Sequence, residues 1–370
     1  MQKIKKREQK MILKRILRIL LCVLLALVII VGGYVLYVVL SYSRIEDNLA
    51  LTPESKTENV VKTGEEYTVV TQNIGFGAYT ADFTFFMDGG KESRARSKES
   101  VENCVNKAAE KVASLNPDFA LFQEVDTSST RSYHVDERKM LKESFSAYSS
   151  VFAVNYHSAY LFYPIFEPHG ASNSGILTLA NKKITSSLRK SLPISISFSK
   201  FLDLDRCFSI TRMPTENGKE LVLYNVHLSA YGSSDEIRHA QMTALFSDMQ
   251  KEYEAGNYCV AGGDFNHDFT GDSTKKLNGG EEVEFGWAMP FPEELLKNYK
   301  NVERATDYTG GKLTPTCRNC DVPYKEGNFT IIVDGFLITS NVTVSYLENI
   351  STGFVYSDHN PAVMKFTLSA

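Results

Sequence analysis

Between Ile19 and Ser43 the chain carries no charged side chain, and a run of that length leaves its backbone few options. Inside a bilayer every N–H and C=O must be satisfied within the segment, so a crossing run of this kind has to be helical. A crossing takes ~20 apolar residues, while the core of a cleavable signal peptide takes ~7–15. This run exceeds both. The eighteen residues before it hold eight Lys or Arg and one Glu, and such a basic flank stays on the cytoplasmic side. No small-x-small cleavage site follows cleanly, because bulky Tyr42 interrupts Ser41-Tyr42-Ser43 before Arg44. A buried core helix is the alternative, and the flank and the length both weigh against it. The expectation is an uncleaved signal anchor: residues 1–18 a basic cytoplasmic flank, 19–43 one transmembrane helix, 44–66 a polar stalk containing Pro53. Residues 67–370 then form a single domain outside the cytoplasm.

Removing the flank sharpens the charge argument. The whole chain is formally −4, and taking away the +7 of residues 1–18 (8 minus 1) leaves −11 for residues 19–370. Proteins that grip polyanionic nucleic acid through its phosphates usually carry a basic surface, so this balance leans away from nucleic acid without forbidding a local basic groove. Cys104, Cys207 and Cys259 sit in apolar-patterned segments and read as small buried hydrophobes. Cys317 and Cys320 form one Cys-x-x-Cys with no second pair, too few for a structural zinc site. A local disulfide and two free thiols both remain open for them.

From Tyr67 onward the pattern alternates. A strand over 67–73 is followed by a helix over 97–115, a strand over 119–124 and a helix over 137–145. Val101, Val105, Ala108, Val112 and Leu115 recur at helical spacing before Asn116-Pro117 closes the segment. Strands over Leu204–Met213 and Leu221–His227 flank the turn Glu216-Asn217-Gly218-Lys219. A helix capped by Asp235 runs to about Tyr253, and a strand from Tyr258 to Ala261 delivers Asp264. Thr270–Lys312 shows no regular pattern and reads as a long loop pinned by Trp287 and Phe291.

Several of these apolar strands end on chemistry. Thr68–Asn73 ends on an amide, Phe119–Glu124 on a carboxylate and Leu221–His227 on an imidazole, while Asp264-Phe265-Asn266 and Asp358-His359-Asn360-Pro361 adjoin two more. Attack of water on a phosphate ester needs charge neutralised, a water aimed and the leaving oxygen stabilised. Asp264 is suited to accept the water's proton, and the Asn266 amide to donate to the nucleophile or a phosphate oxygen. His359, held protonated by a carboxylate, neutralises the phosphoryl oxygens. Singly each has a bland reading: Asn73 as a turn cap before Gly75, Asp334-Gly335 as a hairpin turn. Their co-occurrence is what carries weight.

In this order the motifs resemble the endonuclease/exonuclease/phosphatase superfamily over roughly residues 66–369. The resemblance implies an α/β four-layer sandwich of two mixed β-sheets flanked by helices. It also implies a Mg²⁺-dependent hydrolase, with Mn²⁺ possible. By it Glu124 is the main metal ligand, assisted by Asn73 and Asp358; Asp264 and Asn266 position the nucleophilic water; His227 contacts phosphate or donates a proton; and Asp334 orients His359. Asn173, heading the segment Asn173–Leu179, and Arg318 are expected to bind substrate.

The aromatic-rich stretch from Asn155 to Gly170 reads either as a strand pair in the core or as a wall touching a lipid, sugar or base. The leading expectation is a membrane-anchored phosphohydrolase acting outside the cytoplasm on a lipid head group or small phosphate ester. An extracellular nuclease acting on nucleic acid and a catalytically silent surface-binding module are the alternatives. No protein partner is evident.

Overall fold

Why strand ends would converge is answered by two parallel strand pairs in the computed structural model, which describes all residues except 1, 202, 231–233, 281–286 and 288. The amino-terminal helix α1 spans Gln2–Ser41 and is long and apolar enough to cross a membrane. The chain divides after Ser43, and Arg44–Ala370 forms the second unit.

That unit opens with β1 (Leu49–Leu51) and β2 (Glu66–Asn73), followed by α2 (Lys98–Ala113), β3 (Phe119–Asp126) and α3 (Glu137–Ser144). Next come β4 (Ser149–His157), β5 (Asn173–Ala180), β6 (Ser186–Ser191), β7 (Cys207–Pro214) and β8 (Glu220–His227). Helix α4 (Asp235–Glu254) leads into β9 (Tyr258–Asp264). Past it lie the short pieces β10 (His267–Asp268), α5 (Ser273–Leu277), β11 (Met289–Pro290), α6 (Glu293–Leu296) and β12 (Val302–Arg304). The chain ends through β13 (Cys317–Arg318), β14 (Thr330–Ile331), β15 (Asp334–Thr339), β16 (Val342–Asn349) and β17 (Ala362–Leu368).

Six strands form one mixed sheet in the order β16-β17-β2-β3-β5-β4, and seven form another in the order β1-β6-β7-β8-β9-β15-β12. In each sheet one neighbouring pair is parallel, β2 with β3 and β8 with β9, each joined through a helix as a parallel pair requires. The inner faces meet in one apolar core that includes Val69, Phe119 and Leu121 from the first sheet and Tyr224, Val260 and Phe336 from the second. Helix α2 lays Val101, Val105, Ala108 and Val112 on the outside of the six-stranded sheet, and Ser97 caps its start by accepting from Ser100 N at 3.0 Å. On the other sheet α4 contributes Met242, Leu245, Phe246 and Met249. This is the four-layer α/β sandwich the sequence implies.

Three expectations are corrected. Residues 44–66 are not a free stalk: β1 pairs with β6, Glu54 bridges Ser150, and Val61 bridges Thr215 and is fully buried. Their polarity misled because it is backbone pairing at a few positions, and not a run of buried side chains, that fastens this stretch. The cap of α4 is Ser234, whose hydroxyl accepts from Ile237 N, and Asp235 falls one position inside. The 270–312 segment, of which 281–286 and 288 lie outside the described residues, is no plain loop. It carries two short helices and the edge strand β12, and its Phe291 packs into the main core.

Candidate active site

Both parallel pairs end at the same rim. In the first, Asn73 lies level with Gln123, next to Glu124; in the second, His227 lies level with Asp264. Strand β15 runs antiparallel to β9 and begins level with its end, so Asp334 faces Asp264. Strand β17 runs antiparallel to β2, so the Asp358-His359 turn before it comes to the same place. Buried amides link the two sheets just beneath this rim: Gln123 Nε2 donates to Asn225 Oδ1 at 2.8 Å, and Asn225 Nδ2 to Leu177 O at 3.0 Å.

The local backbone is shaped for this work. Glu124 sits at φ 55° within an irregularity of the β3–β5 ladder, and Asn266 at φ 50° just past β9. Side chains other than glycine rarely take that conformation, and it clusters where a site aims a group. Gly75, at φ +53°, leaves room for Asp358, whose Oδ1 would lie 2.6 Å from an added Cβ. Ser357 Oγ donates to Asn73 O at 2.9 Å and accepts from His359 N at 3.1 Å, which pins the terminal turn to β2.

At the centre stands Asp264, only 2% exposed. It accepts from Asn73 Nδ2 at 3.1 Å and from Asn266 N at 2.9 Å, with His227 Nε2 3.7 Å and His359 Nε2 3.9 Å away. Burial pushes its pKa up to about 7, opposed by His359 and aided by Asp334. Asp358 is pushed up to about 6, by burial first, with His359 opposing and Glu124 adding repulsion. The two histidines diverge. Burial, with the fields of Arg206, His359 and Arg131, drives His227 well below the ordinary histidine value and leaves it neutral. Burial also disfavours charge on His359, but the fields of Asp334, Cys317 and Asp358 and the 2.7 Å bond from its Nδ1 to Asp334 Oδ2 prevail, so it stays cationic at neutral pH.

A cavity of about 280 Å³ opens above these groups. Glu124, His227, Asp264, Asn266, Arg318, Asp358 and His359 line it, while Asn73 and Asp334 support it from below. The oxygen of Asn73 accepts from Gly75 N at 3.0 Å, and its NH₂ faces Glu124 and Asp264 at 3.4 and 3.1 Å. Asn266 Nδ2 donates to Leu228 O at 2.8 Å, and its backbone N–H to Asp264 Oδ1 at 2.9 Å. Asn173 is exposed and outside the lining, to which its neighbour Ser174 and the buried Asn155 do contribute.

Sequence reasoning missed two arginines. Arg206, 4% exposed, lines the cavity, and its Nε and Nη1 find no hydrogen-bond partner among the described residues. Arg131 is gripped by both oxygens of Asp126, at 2.9 and 3.0 Å, and lies 4.0 Å over the Phe76 ring. Arg206 falls inside the strand expected over Leu204–Met213, one residue before the observed β7, and Arg131 lies in the connection between β3 and α3, so no local pattern marked either. Arg318 resembles Arg206: its Nη2 donates to Thr80 O and Phe83 O, while Nε and Nη1 lack partners among the described residues. Buried guanidinium nitrogens left open in a cavity suit an anionic ligand.

The donor set also suits a hard cation. Glu124 and Asp358 are close enough to repel one another, and an oxygen-ligated divalent ion relieves repulsion of that kind. Asp264, Asp334 and His359 also bring ligand atoms within 4.8 Å of one another, with Asp334 and His359 bonded to each other through Oδ2 and Nδ1.

The profile of the Endonuclease/Exonuclease/phosphatase family matches residues 70–359. Among curated protein sequences no match was found. Solved structures share the fold. An endonuclease/exonuclease/phosphatase from Beutenbergia cavernae is 15% identical, with 82% of this chain and 72% of that one covered at a TM-score of 0.55. The human Nocturnin catalytic domain with bound sulfate is 17% identical, covering 86% and 98% at 0.51. ANGEL2, described as a 2′,3′-cyclic phosphatase in complex with adenosine-2′,3′-vanadate, is 12% identical, covering 87% and 99% at 0.54.

Proposed function

The chain belongs to the endonuclease/exonuclease/phosphatase family, and from that premise we propose that it is a membrane-anchored, Mg²⁺-dependent phosphohydrolase acting outside the cytoplasm on a compact phosphate ester. One observation carries the reading: a single buried carboxylate, Asp264, lies within 4 Å of two histidines, one of which, His359, is bonded at 2.7 Å to a second buried carboxylate, Asp334. Cationic His359 faces the position where a phosphoryl oxygen gains charge. Neutral His227 offers a hydrogen bond there without adding a second charge. Asp264, with its raised pKa, takes the proton of the attacking water and is held in place by Asn73 and Asn266. Arg206 and Arg318 bind the anionic part of the substrate through their open nitrogens. Glu124 and Asp358 would hold the Mg²⁺, for which Mn²⁺ can substitute, and when bound it supplies charge neutralisation on the phosphate.

A compact substrate fits better than a nucleic-acid strand. The cavity is closed in by Phe76, Tyr79, Phe85 and Trp287 and carries Asp88 and Asp203 among its lining, which interrupts any long basic track. The test is hydrolysis of bis(p-nitrophenyl) phosphate by the purified full chain with Mg²⁺, Mn²⁺ or a chelator. Metal-dependent release of nitrophenol is expected. Equal release in the chelator would overturn the metal dependence, and no release with either metal would favour the binding-module alternative.

A further inference from the structure

Two segments that each contribute residues to the cavity wall also carry exposed apolar side chains outside its lining. The segment between β4 and β5, expected as core or as a wall, lies at the surface: Phe166 is 101% exposed, Ile165 78% and Tyr163 68%. It is nevertheless held in shape. Leu161 bridges Gly170, His169 N donates to Tyr163 O, and the Glu167 carboxylate pairs with Arg94 at 3.2 Å. A second segment, between β6 and β7, presents Ile196 at 95% exposure. Both segments are rooted in the cavity wall, the first through Tyr156 and His169, the second through Asp203 and Arg206. Their roots also adjoin, since Arg189 donates to Val154 O at 2.8 Å and to Asp205 O at 2.6 Å.

The second segment has a further attachment. Arg44 follows the uncharged run by one peptide bond, and its guanidinium donates to Leu192 O at 2.6 Å and pairs with Asp205 at 3.4 Å; Ile45 N donates to Asp205 Oδ2 at 2.6 Å. The two ends of the Ile196 segment are therefore fastened to the first residue beyond the apolar span. Single large apolar side chains raised on braced loops suit acyl chains, into which each inserts separately, and burying each one is favourable by an amount a water-facing loop forgoes.

We propose that Tyr163, Ile165, Phe166 and Ile196 insert into the bilayer that holds the amino-terminal helix, so that the cavity opens onto the plane of lipid phosphates and its substrate is a phospholipid head-group ester. The substrate half rests on the phosphohydrolase reading. The docking half does not.

The full chain is reconstituted in phosphatidylcholine, phosphatidylglycerol and phosphatidylinositol-phosphate vesicles, as wild type and as Phe166→Trp. Trp287 is the one native tryptophan and supplies the background. Bromine-labelled acyl chains should quench the added tryptophan and its emission should shift to the blue. Emission at the water-exposed position, unaffected by bromine, overturns docking whatever the enzyme cleaves. In the same vesicles Ile165→Asp with Phe166→Asp and Ile196→Asp should lower head-group release by roughly tenfold or more while leaving turnover of bis(p-nitrophenyl) phosphate in place. Quenching together with turnover of the soluble ester but none of the three lipids overturns the head-group assignment and leaves docking standing. Quenching with no turnover of either ester locates the failure in the phosphohydrolase reading.

Discussion

Asp334 is fully buried and spends one carboxylate oxygen on His359 Nδ1. Its charge is what keeps that imidazole protonated against the cost of burial. Because the folded-state pKa of His359 is raised, the cation is present below it and lost as pH rises through it. Asp334→Asn removes the opposing field, so the imidazole should deprotonate at lower pH and the alkaline limb of the pH–rate profile should move the same way, with kcat falling more than KM rises. An alkaline limb left at its wild-type position would show that the pair is not coupled. Glu124 is the partly exposed carboxylate of the rim, 3.4 Å from Asn73 Nδ2 and 3.9 Å from His227. Glu124→Gln keeps the shape and loses the charge, and turnover at limiting Mg²⁺ should drop about a hundredfold or more, partly recovered at high Mg²⁺, with the melting temperature little changed. Near wild-type turnover at low Mg²⁺ would remove Glu124 from the cation site.

At the level of elements, precision comes from how closely β8 and β9 pair. Gly263 has φ +151°, and a Cβ there would lie 2.0 Å from Val226 O, so the strands touch only because the residue has no side chain. Gly263→Ala should push apart the pair that sets His227 against Asp264, lowering stability by about 2 kcal/mol or more and removing activity. Gly64, at φ +77° with nothing within 4 Å, is the matched control. Its alanine variant should cost only about 1 kcal/mol of backbone strain, and activity should remain. Denaturant titration of both variants distinguishes a packing clash from a conformational penalty.

Across the whole molecule, the second unit begins at Arg44, and Leu49–Leu51 near its start pair with β6 in the seven-stranded sheet. Limited proteolysis of the purified chain should therefore spare residues 44–66, which a free stalk would lose first. In intact cells, or protoplasts where a wall blocks access, added protease should degrade the large domain and leave a short membrane-protected fragment if the basic flank lies inside. Protection of the domain until lysis would reverse the proposed topology and turn attention to cytoplasmic phosphate esters.

The sequence by itself determined which strands end in chemistry, because an apolar run that stops on Asn73, Glu124, His227 or Asp264 is a local pattern. It also determined the apolar helix, since a run without charge needs no tertiary partner to be recognised. The order of the motifs carried a family resemblance, and that resemblance implied two mixed sheets and the pairing of Asp334 with His359. What only the tertiary structure decided depends on register and approach. Within residues 44–66, Leu49–Leu51, Glu54 and Val61 pair with other segments through backbone bonds that no side-chain pattern reports. Asn73 faces its oxygen to Gly75 because of a turn formed after the strand ends. Arg206 reaches the site because β7 begins beside the cavity, and lone arginines at strand starts look alike in a sequence. Nor does a sequence say whether the rings from Tyr156 to Phe166 point inward or out; that is settled by the bonds that brace the loop around Gly170 and Glu167.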